Sequence, residues 1–264
     1  MIFEACIDSV ASAQEAIAGG AGRLELCDSL VEGGVTPSIG KISAVVRAVA
    51  GAVPVHVLIR PRGGDFVYDD VEMAIMLDDI TSARSAGAAG VVVGALSPDG
   101  TVDEARTRAL IEAARPMSVT FHRAIDVSFD ALEVFKTAAR LGVDRVLTSG
   151  HASTALEGAA VINAMVAHAH AANLRTVVIA GGGVTPGCAA DLLWRTGVLE
   201  LHGTARSARR RQHAFVCEPP VYMGSERSNS RENETSLLVC DRNRVADIVA
   251  AMSANAQGAV ASLS

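Results

Sequence analysis

The stretch that decides the fold is SVTFHRAIDVSFDALEVFKTAARLGVDRVLTSG, residues 118–150. It begins with a strand-like run, Ser118–Phe121, and ends with a second such run, Arg145–Leu147. Between the two runs, apolar residues recur at the spacing of one helix face, with Ser128 as the predicted N-cap and Gly142 as the stop. The stretch therefore predicts one strand–helix unit followed directly by the next strand.

The same unit recurs along the whole chain. The strand-like runs, rich in Val, Ile and Leu, are Ile2–Ile7, Arg23–Cys27, Pro54–Ile59, Gly90–Val93, Ser118–Phe121, Arg145–Leu147, Thr176–Ala180 and Val198–Leu201. They return every ~20–35 residues, which is the length of a βα unit. Because the runs are apolar on both faces, we expect a parallel sheet covered by helices. Eight such units predict an α/β protein with a single closed (β/α)₈ TIM-type barrel.

Composition excludes several classes of protein. Half of the 264 residues are apolar, but only 3% are aromatic, so aliphatic side chains and alanine are expected to fill the core. The net charge of −6 argues against a nucleic-acid or membrane-surface partner, which would need a basic face. No run of about 18 apolar residues predicts a membrane span. Five cysteines and the absence of a signal-peptide pattern predict a cytoplasmic protein.

The C-terminal part of the sequence breaks the repeating pattern. Residues 203–233 are rich in Arg, Ser, Glu and Asn, and they predict a long surface loop. An apolar run, Ser236–Cys240, and a helix, Val245–Met252, follow this loop. Nothing in this part separates a second domain, so we expect one domain over residues 1–264 with a C-terminal extension.

Polar residues are concentrated where the predicted strands end. In (β/α)₈ barrels the carboxyl ends of the strands meet at one rim, here called the barrel mouth, and that rim carries the functional site. Candidate acid–base groups at these strand ends are His122, Glu4, Glu200 and His202. The alternative is a hydrogen-bond network that only holds the rim together, and the sequence does not separate the two.

Two cysteines close neighbouring strands. Cys6 and Cys27 each follow a glutamate by two residues, so both thiols are predicted to face the barrel mouth. Two close thiolates suit low-coordinate Cu(I), and Arg60 or Arg62 would supply the positive charge that lowers a thiol pKa. Zinc fits less well because no Cys-x-x-Cys spacing is present. The alternative is that both cysteines are small buried hydrophobes.

The segment Arg60–Phe66 reads Arg-Pro-Arg-Gly-Gly-Asp-Phe and places two arginines beside a tight turn. Guanidinium groups bind carboxylate or phosphate through paired donors, so Arg60 and Arg62 are predicted to bind an anion. The alternative is an ion pair with Asp65 within the rim. The other predicted anion-binding residues, which follow later strands, are Arg123, Ser149, Gly181, Gly182 and Gly183.

A distinctive series of motifs runs in order between residues 4 and 202. The motifs are Glu4-x-Cys6, Arg23-Leu24-Glu25-Leu26-Cys27, Glu32-Gly33-Gly34-x-Thr36-Pro37-Ser38, Ile59-Arg60-Pro61-Arg62-Gly63-Gly64-Asp65-Phe66-x-Tyr68, Val119-Thr120-Phe121-His122-Arg123-Ala124-x-Asp126, Arg145-Val146-Leu147-Thr148-Ser149-Gly150, Gly181-Gly182-Gly183 and Glu200-x-His202. This series resembles the CutC family of copper-homeostasis proteins. The resemblance implies a TIM-type barrel, a cytoplasmic location and a role in handling Cu(I), and it weakens after His202.

Two functions therefore follow from the sequence. The first is a copper-homeostasis protein that binds a copper ion, Cu(I), through Cys6 and Cys27. The second is an enzyme that acts on a small anionic or phosphorylated substrate, which would use the arginines and His122. A scaffold whose rim residues are purely structural is a third possibility. Alanine-rich helices on the outside of a barrel also predict a homo-oligomer.

Overall fold

The computed structural model describes residues 1–210, 215, 221 and 236–261. The strands in this part of the chain are β1 Ile2–Ile7, β2 Arg23–Leu26, β3 Val55–Leu58, β4 Gly90–Val93, β5 Ser118–Phe121, β6 Arg145–Thr148, β7 Val177–Gly181, β8 Glu200–Gly203, β9 Arg206–Arg210 and β10 Ser236–Cys240. The α-helices are α1 Val10–Ala18, α2 Ile39–Val49, α3 Asp70–Ser85, α4 Glu104–Ala114, α5 Ala131–Leu141, α6 Ala159–Ala171, α7 Pro186–Thr196 and α8 Arg242–Ala261. The eight predicted barrel strands are all present.

Strands β1 to β8 form a closed parallel barrel in chain order, with β1 also paired to β8. This confirms the predicted TIM-type fold. The register places Cys6 beside Glu25, and Glu25 beside His56. Residues paired in register point to the same side of a sheet, so these three side chains are neighbours inside the barrel.

The apolar core consists of two unequal parts. The larger part lies between the strands and the surrounding helices and is built from aliphatic residues and alanine, as the composition predicts. The smaller part contains only Cys6, Cys27, Leu58 and Val92, with Leu30 packed against it. Several ionisable side chains are also almost completely buried, and they are Glu4, Arg23, Glu25, His56 and Glu200. The barrel interior is thus largely polar, which is costly unless the groups are paired.

Helix starts follow capping chemistry, with one correction. Asp69 and Glu72 form the capping box that the sequence predicts at the start of α3. The predicted cap of α5, Ser128, is wrong because Asp130 accepts the backbone N–H groups of Leu132 and Glu133. A carboxylate reaches two free N–H groups of the first turn, and Ser128 instead donates its hydroxyl to a carbonyl oxygen.

The C-terminal extension contains regular structure. The predicted surface loop over residues 203–233 is wrong in its first part, because Gly203 ends β8 and Arg206–Arg210 forms β9. β9 pairs antiparallel with β10, which corresponds to the predicted apolar run. This pairing satisfies the backbone N–H and C=O groups of β9, although the side chains of β9 show no strand periodicity. Residues 211–214, 216–220 and 222–235 lie outside the described part of the chain.

The last helix, α8, packs against α1 and α7 on the outside of the barrel. It is longer than the predicted helix Val245–Met252. None of the described helices combines the length and the apolar character that a bilayer span requires.

Candidate functional site at the barrel mouth

Cys6 and Cys27 lie side by side, as the sequence predicts. Cys6 is near the end of β1, Cys27 follows β2, and the two Sγ atoms are 3.6 Å apart. The Cys27 thiol also lies 3.2 Å from Oε1 of Glu25. Both thiols are buried against Leu58 and Val92. The pair and Glu25 form a group of potential metal ligands.

The two thiols differ in protonation. The hydrogen bond from Cys27, together with His202, lowers the pKa of the Cys6 thiol to about 6. The same sulfur–sulfur hydrogen bond and burial raise the pKa of Cys27 well above its ordinary value. At neutral pH, Cys6 is therefore the thiolate and Cys27 is the thiol that donates to it. The expectation that Arg60 or Arg62 lowers the thiol pKa is wrong, because the nearby cation is His202.

His202 belongs to a second group of potential metal ligands beside the thiols. Its Nδ1 atom lies 2.8 Å from Oε1 of Glu4 and 3.6 Å from Oε2 of Glu25. Burial lowers the pKa of His202, but Glu25, Cys6 and Glu4 outweigh it and raise the pKa well above its ordinary value. Burial raises the pKa of Glu25 to about 8. The imidazolium and the Cys6 thiolate thus neutralise each other.

Below the thiols, Arg23 holds two of the predicted acid–base residues. Its guanidinium pairs with Glu4 and, at 2.5 Å, with Glu200. Burial raises the pKa of Glu4, but His202 and Arg23 outweigh it and hold the pKa far below its usual range. Glu200 starts β8 rather than ending it, so the expectation that it lies at the barrel mouth is wrong. The carboxylate is retained near the opposite end of the barrel by Arg23 and, at 3.5 Å, by Arg145.

Arg23 is a site residue that was not predicted, although the sequence contains a signal for it. Arg23, Glu25 and Cys27 alternate with leucines in the second strand. Alternation places all three side chains on one face, so a buried arginine among the site residues was readable from strand parity. Its partners were not readable, because Glu200 is distant in the chain.

A cavity of about 400 Å³, here called the mouth cavity, opens directly onto Cys6. The predicted site residues that line it are Cys6, Arg60, His122, Arg123, Gly182, Gly183 and His202. Those that do not line it are Glu4, Cys27, Arg62, Ser149, Gly181 and Glu200. Two arginines of the extension, Arg206 from β9 and Arg244 from α8, line it as well, and the sequence analysis missed both as site residues.

His122 and Arg60 are buried on one side of the mouth cavity. The Nδ1 atom of His122 accepts the backbone N–H of Ala124, so its proton is assigned to Nε2, which has no partner within the described part of the chain. Burial, with the nearby Arg60 cation, lowers the pKa of His122 to about 3, and the ring is neutral. Arg60 donates to three backbone carbonyls. Phe66 lies between them, 4.8 Å from the guanidinium and 4.9 Å from the imidazole ring.

The other predicted anion-binding residues have separate partners. Arg123 pairs with Asp126 at 2.7 Å and donates to Oγ of Ser149 at 2.9 Å. Arg62 pairs with Glu72 at 2.5 Å and with Asp65 at 3.1 Å. The structure thus places Arg62 outside the mouth cavity, in the ion-paired arrangement that the sequence analysis kept as the alternative.

Comparison with known proteins identifies the family of the chain. The CutC family model matches residues 1–207. The chain belongs to the CutC family. It is 44% identical over 244 residues to the mouse protein named copper homeostasis protein cutC homolog, covering 92% of this chain and 86% of that protein. It is 49% identical over 205 residues to a CutC family protein of Xylella fastidiosa, covering 78% and 75% of the two chains.

A solved structure of CutC from Streptococcus agalactiae superposes on this chain with a TM-score of 0.72. The two sequences are 32% identical, and the superposition covers 77% of this chain and 98% of that one. The CutC family match ends at residue 207, so it includes Cys6, Cys27, His202 and Arg206 but not Arg244. The mouth cavity of this CutC protein is therefore completed by a helix outside the family match.

Proposed function

We propose that this CutC protein binds Cu(I) in the cytoplasm through Cys6 and Cys27, as part of copper homeostasis. The observation that carries the proposal is the pair of Sγ atoms 3.6 Å apart, with the pKa of Cys6 lowered to about 6. Thiolates are the ligands that Cu(I) prefers, and a thiolate already present at neutral pH binds without first losing a proton.

The surroundings of the pair support the same function. Leu58 and Val92 shield the thiols on one side, while Cys6 is open to the mouth cavity, which provides a route for the ion. Glu25 and His202 lie beside the thiols as further potential ligands or as counter-charges. A hydrophobic wall and a charged second layer are the usual means by which a protein tunes a metal site.

The test is an anaerobic competition titration with Cu(I) under reducing conditions. The wild type is expected to bind one ion, and Cys6→Ser or Cys27→Ser to weaken binding by roughly 100-fold or more. Cys188→Ser is the matched control, since Cys188 lies at the start of α7, where it accepts the Thr185 N–H, and a serine preserves that bond. An unchanged affinity for Cu(I) in both single variants would show that Cys6 and Cys27 only pack in the core.

A second candidate function is an enzyme that acts on a small anionic or phosphorylated metabolite. The observation that favours it is the unpartnered Nε2 of His122, buried beside Arg60 in the mouth cavity. A neutral imidazole N–H in a buried site stabilises negative charge that develops on a substrate oxygen. Glu4 and Glu200 take no part, because Arg23 holds both.

This candidate is tested by incubating metal-free protein with sugar phosphates and hydroxy acids and following turnover by NMR. His122→Asn preserves an acceptor for the Ala124 N–H but removes the Nε2 donor. We expect it to lower turnover by roughly 10²–10³-fold. Absence of turnover by the wild type across the panel counts against an enzyme.

A further inference from the structure

A glycine turn with two unused backbone N–H groups lines the mouth cavity. Gly182, Gly183 and Val184 lie between β7 and α7, and the N–H groups of Gly183 and Val184 donate to no acceptor among the described residues. Gly182 and Gly183 have φ values of +106° and +73°, a conformation that favours glycine. Successive backbone N–H groups in such turns form a concave anion-binding surface.

Arg123 lies beside these N–H groups. A Cβ atom placed on Gly182 would be 3.6 Å from Cζ of Arg123 and 3.1 Å from Cβ of Ser149. Nε and one terminal nitrogen of Arg123 are bound to Asp126 and Ser149, while Nη1 has no acceptor among the residues that the structure describes. Asp126 thus holds the guanidinium in place and leaves one donor free. A glycine at position 182 is required for this close approach.

A buried donor provides an observation independent of the turn. His122 Nε2 has no partner among the described residues, and His122 is more than nine-tenths buried at the cavity wall. Leaving a buried donor without an acceptor is unfavourable, and an oxygen of a bound ligand would satisfy it. This donor therefore indicates a ligand with an oxygen acceptor at its other end.

The charge of the cavity also points to an anion. Arg60, Arg206 and Arg244 line the cavity, and none of them forms an ion pair with a carboxylate of the described residues. Arg244 donates to the backbone oxygen of Arg206, which holds the two arginines of the extension together. With Arg123 the lining carries four guanidinium groups against one carboxyl, that of Glu25.

We propose that the mouth cavity is a binding site for a small phosphate monoester. The N–H groups of Gly183 and Val184 and the free donor of Arg123 bind the phosphate. His122 binds an oxygen atom of the organic part, and the extension closes the site with Arg206 and Arg244. The cavity of about 400 Å³ is within the range of small-ligand sites. This inference rests on the second proposed function only in that both place an anion in the mouth cavity. It concerns the binding of the ligand and not its turnover.

The test is isothermal titration calorimetry with ³¹P NMR on the full, metal-free, reduced chain. The probes are glycerol 3-phosphate, glycerate and glycerol. Glycerol 3-phosphate is expected to bind at least tenfold more tightly than glycerate, and glycerol is expected not to bind. Arg123→Met, His122→Asn and Arg244→Met are each expected to weaken glycerol 3-phosphate binding at least fivefold. Arg140→Met is the control, because Arg140 pairs with Glu104 on the outer helices.

Arg244→Met keeps the proposal falsifiable if the buried variants fail to fold, because its side chain belongs to an exposed residue of α8. Glycerol 3-phosphate binding no tighter than glycerate binding, or binding unchanged by Arg123→Met and Arg244→Met, would overturn the proposal. Copper binding, phosphate binding and turnover each have their own readout, which are the Cu(I) titration, the calorimetry and the NMR turnover assay. Failure of copper binding, of phosphate binding and of turnover are thus three separate results.

Discussion

At the scale of single residues, Arg23 and His202 decide what the thiol pair can do. Arg23 neutralises Glu4 and Glu200, which would otherwise be buried charges without partners. His202 is placed between Glu4 and Glu25, and its positive charge stabilises the Cys6 thiolate. The chemistry of the pair thus depends on a cation that is almost 200 positions away in the sequence but lies on the neighbouring strand of the closed barrel.

His202→Gln is expected to raise the pKa of Cys6 from about 6, because it removes a hydrogen bond and a positive charge from the thiolate. The Cys27 hydrogen bond remains, so the pKa is expected to stay below its ordinary value. Titration of the thiolate ultraviolet absorbance in metal-free protein measures the midpoint. Arg62→Met is the matched control and is expected to leave the midpoint unchanged. A shift in Arg62→Met without one in His202→Gln would contradict this electrostatic account.

At the scale of elements, α8 determines whether the extension reaches the barrel mouth. It packs on α1 and α7 and carries Arg244 to the mouth cavity. The contact with α1 is close: a Cβ atom on Gly19 would be 2.6 Å from both the backbone oxygen of Arg242 and Cβ of Val245. Gly19 has a φ of −83°, so the restriction is steric crowding and not backbone strain.

Gly19→Ala is therefore expected to destabilise the protein by about 1–3 kcal/mol, since α8 must shift to admit the methyl group. Gly40→Ala is the matched control within helix α2, where the nearest atom to a new Cβ is 4.0 Å away. Alanine there is expected to stabilise the protein by about 0.5–1 kcal/mol. Urea unfolding measures both changes, and equal effects of the two substitutions would show that α8 is not tightly docked.

At the scale of the whole molecule, buried titratable groups make stability depend on pH in both directions. Burial lowers the pKa of His56 to about 4 and that of His122 to about 3, so both are neutral in the folded protein. Below pH 6.5 the unfolded chain protonates these histidines and the folded one does not, which favours unfolding. Glu25, with its pKa raised to about 8, partly offsets this on the acid side because the folded protein already holds its proton.

Between the ordinary histidine pKa and pH 8 the balance reverses. His202 and Glu25 keep their protons in the folded state and lose them on unfolding, so their contribution to stability falls as pH rises. The pKa of Cys6 is lowered to about 6, so its contribution to stability rises with pH over this range. It offsets only one of the two protons that His202 and Glu25 release on unfolding.

The expected result is a maximum of unfolding free energy near pH 6.5. Below pH 6.5 the chain takes up about one net proton when it unfolds. The unfolding free energy is therefore expected to fall by about 2 kcal/mol between pH 6.5 and pH 5. Urea denaturation of the metal-free protein at pH 5, 6.5 and 8 measures the curve. His122→Asn is expected to flatten the acid side, and a stability that rises steadily from pH 5 to pH 8 would contradict the assignment of neutral buried histidines.

Local patterns in the sequence were sufficient to predict the fold and the part of the site that lies on the strands. The period of the apolar residues is a property of neighbouring positions, so eight strands and the parity of Cys6 and Cys27 were readable without a structure. The carboxyl ends of parallel strands must meet, and the proximity of the two thiols follows from that rule. The homo-oligomer and the cytoplasmic location stay predictions.

What only the tertiary structure decided is the pairing of charges and the direction of side chains outside the strands. Arg62 pairs with Glu72 outside the cavity, although its sequence context matches that of Arg60. Glu200 forms an ion pair with Arg23, and Arg244 lines the mouth cavity although it belongs to α8, which follows the barrel in the chain. Hydrophobic periodicity involves residues that are only a few positions apart, so it can be read directly from the sequence. Ion pairing depends instead on distances between residues that the closed barrel alone brings together.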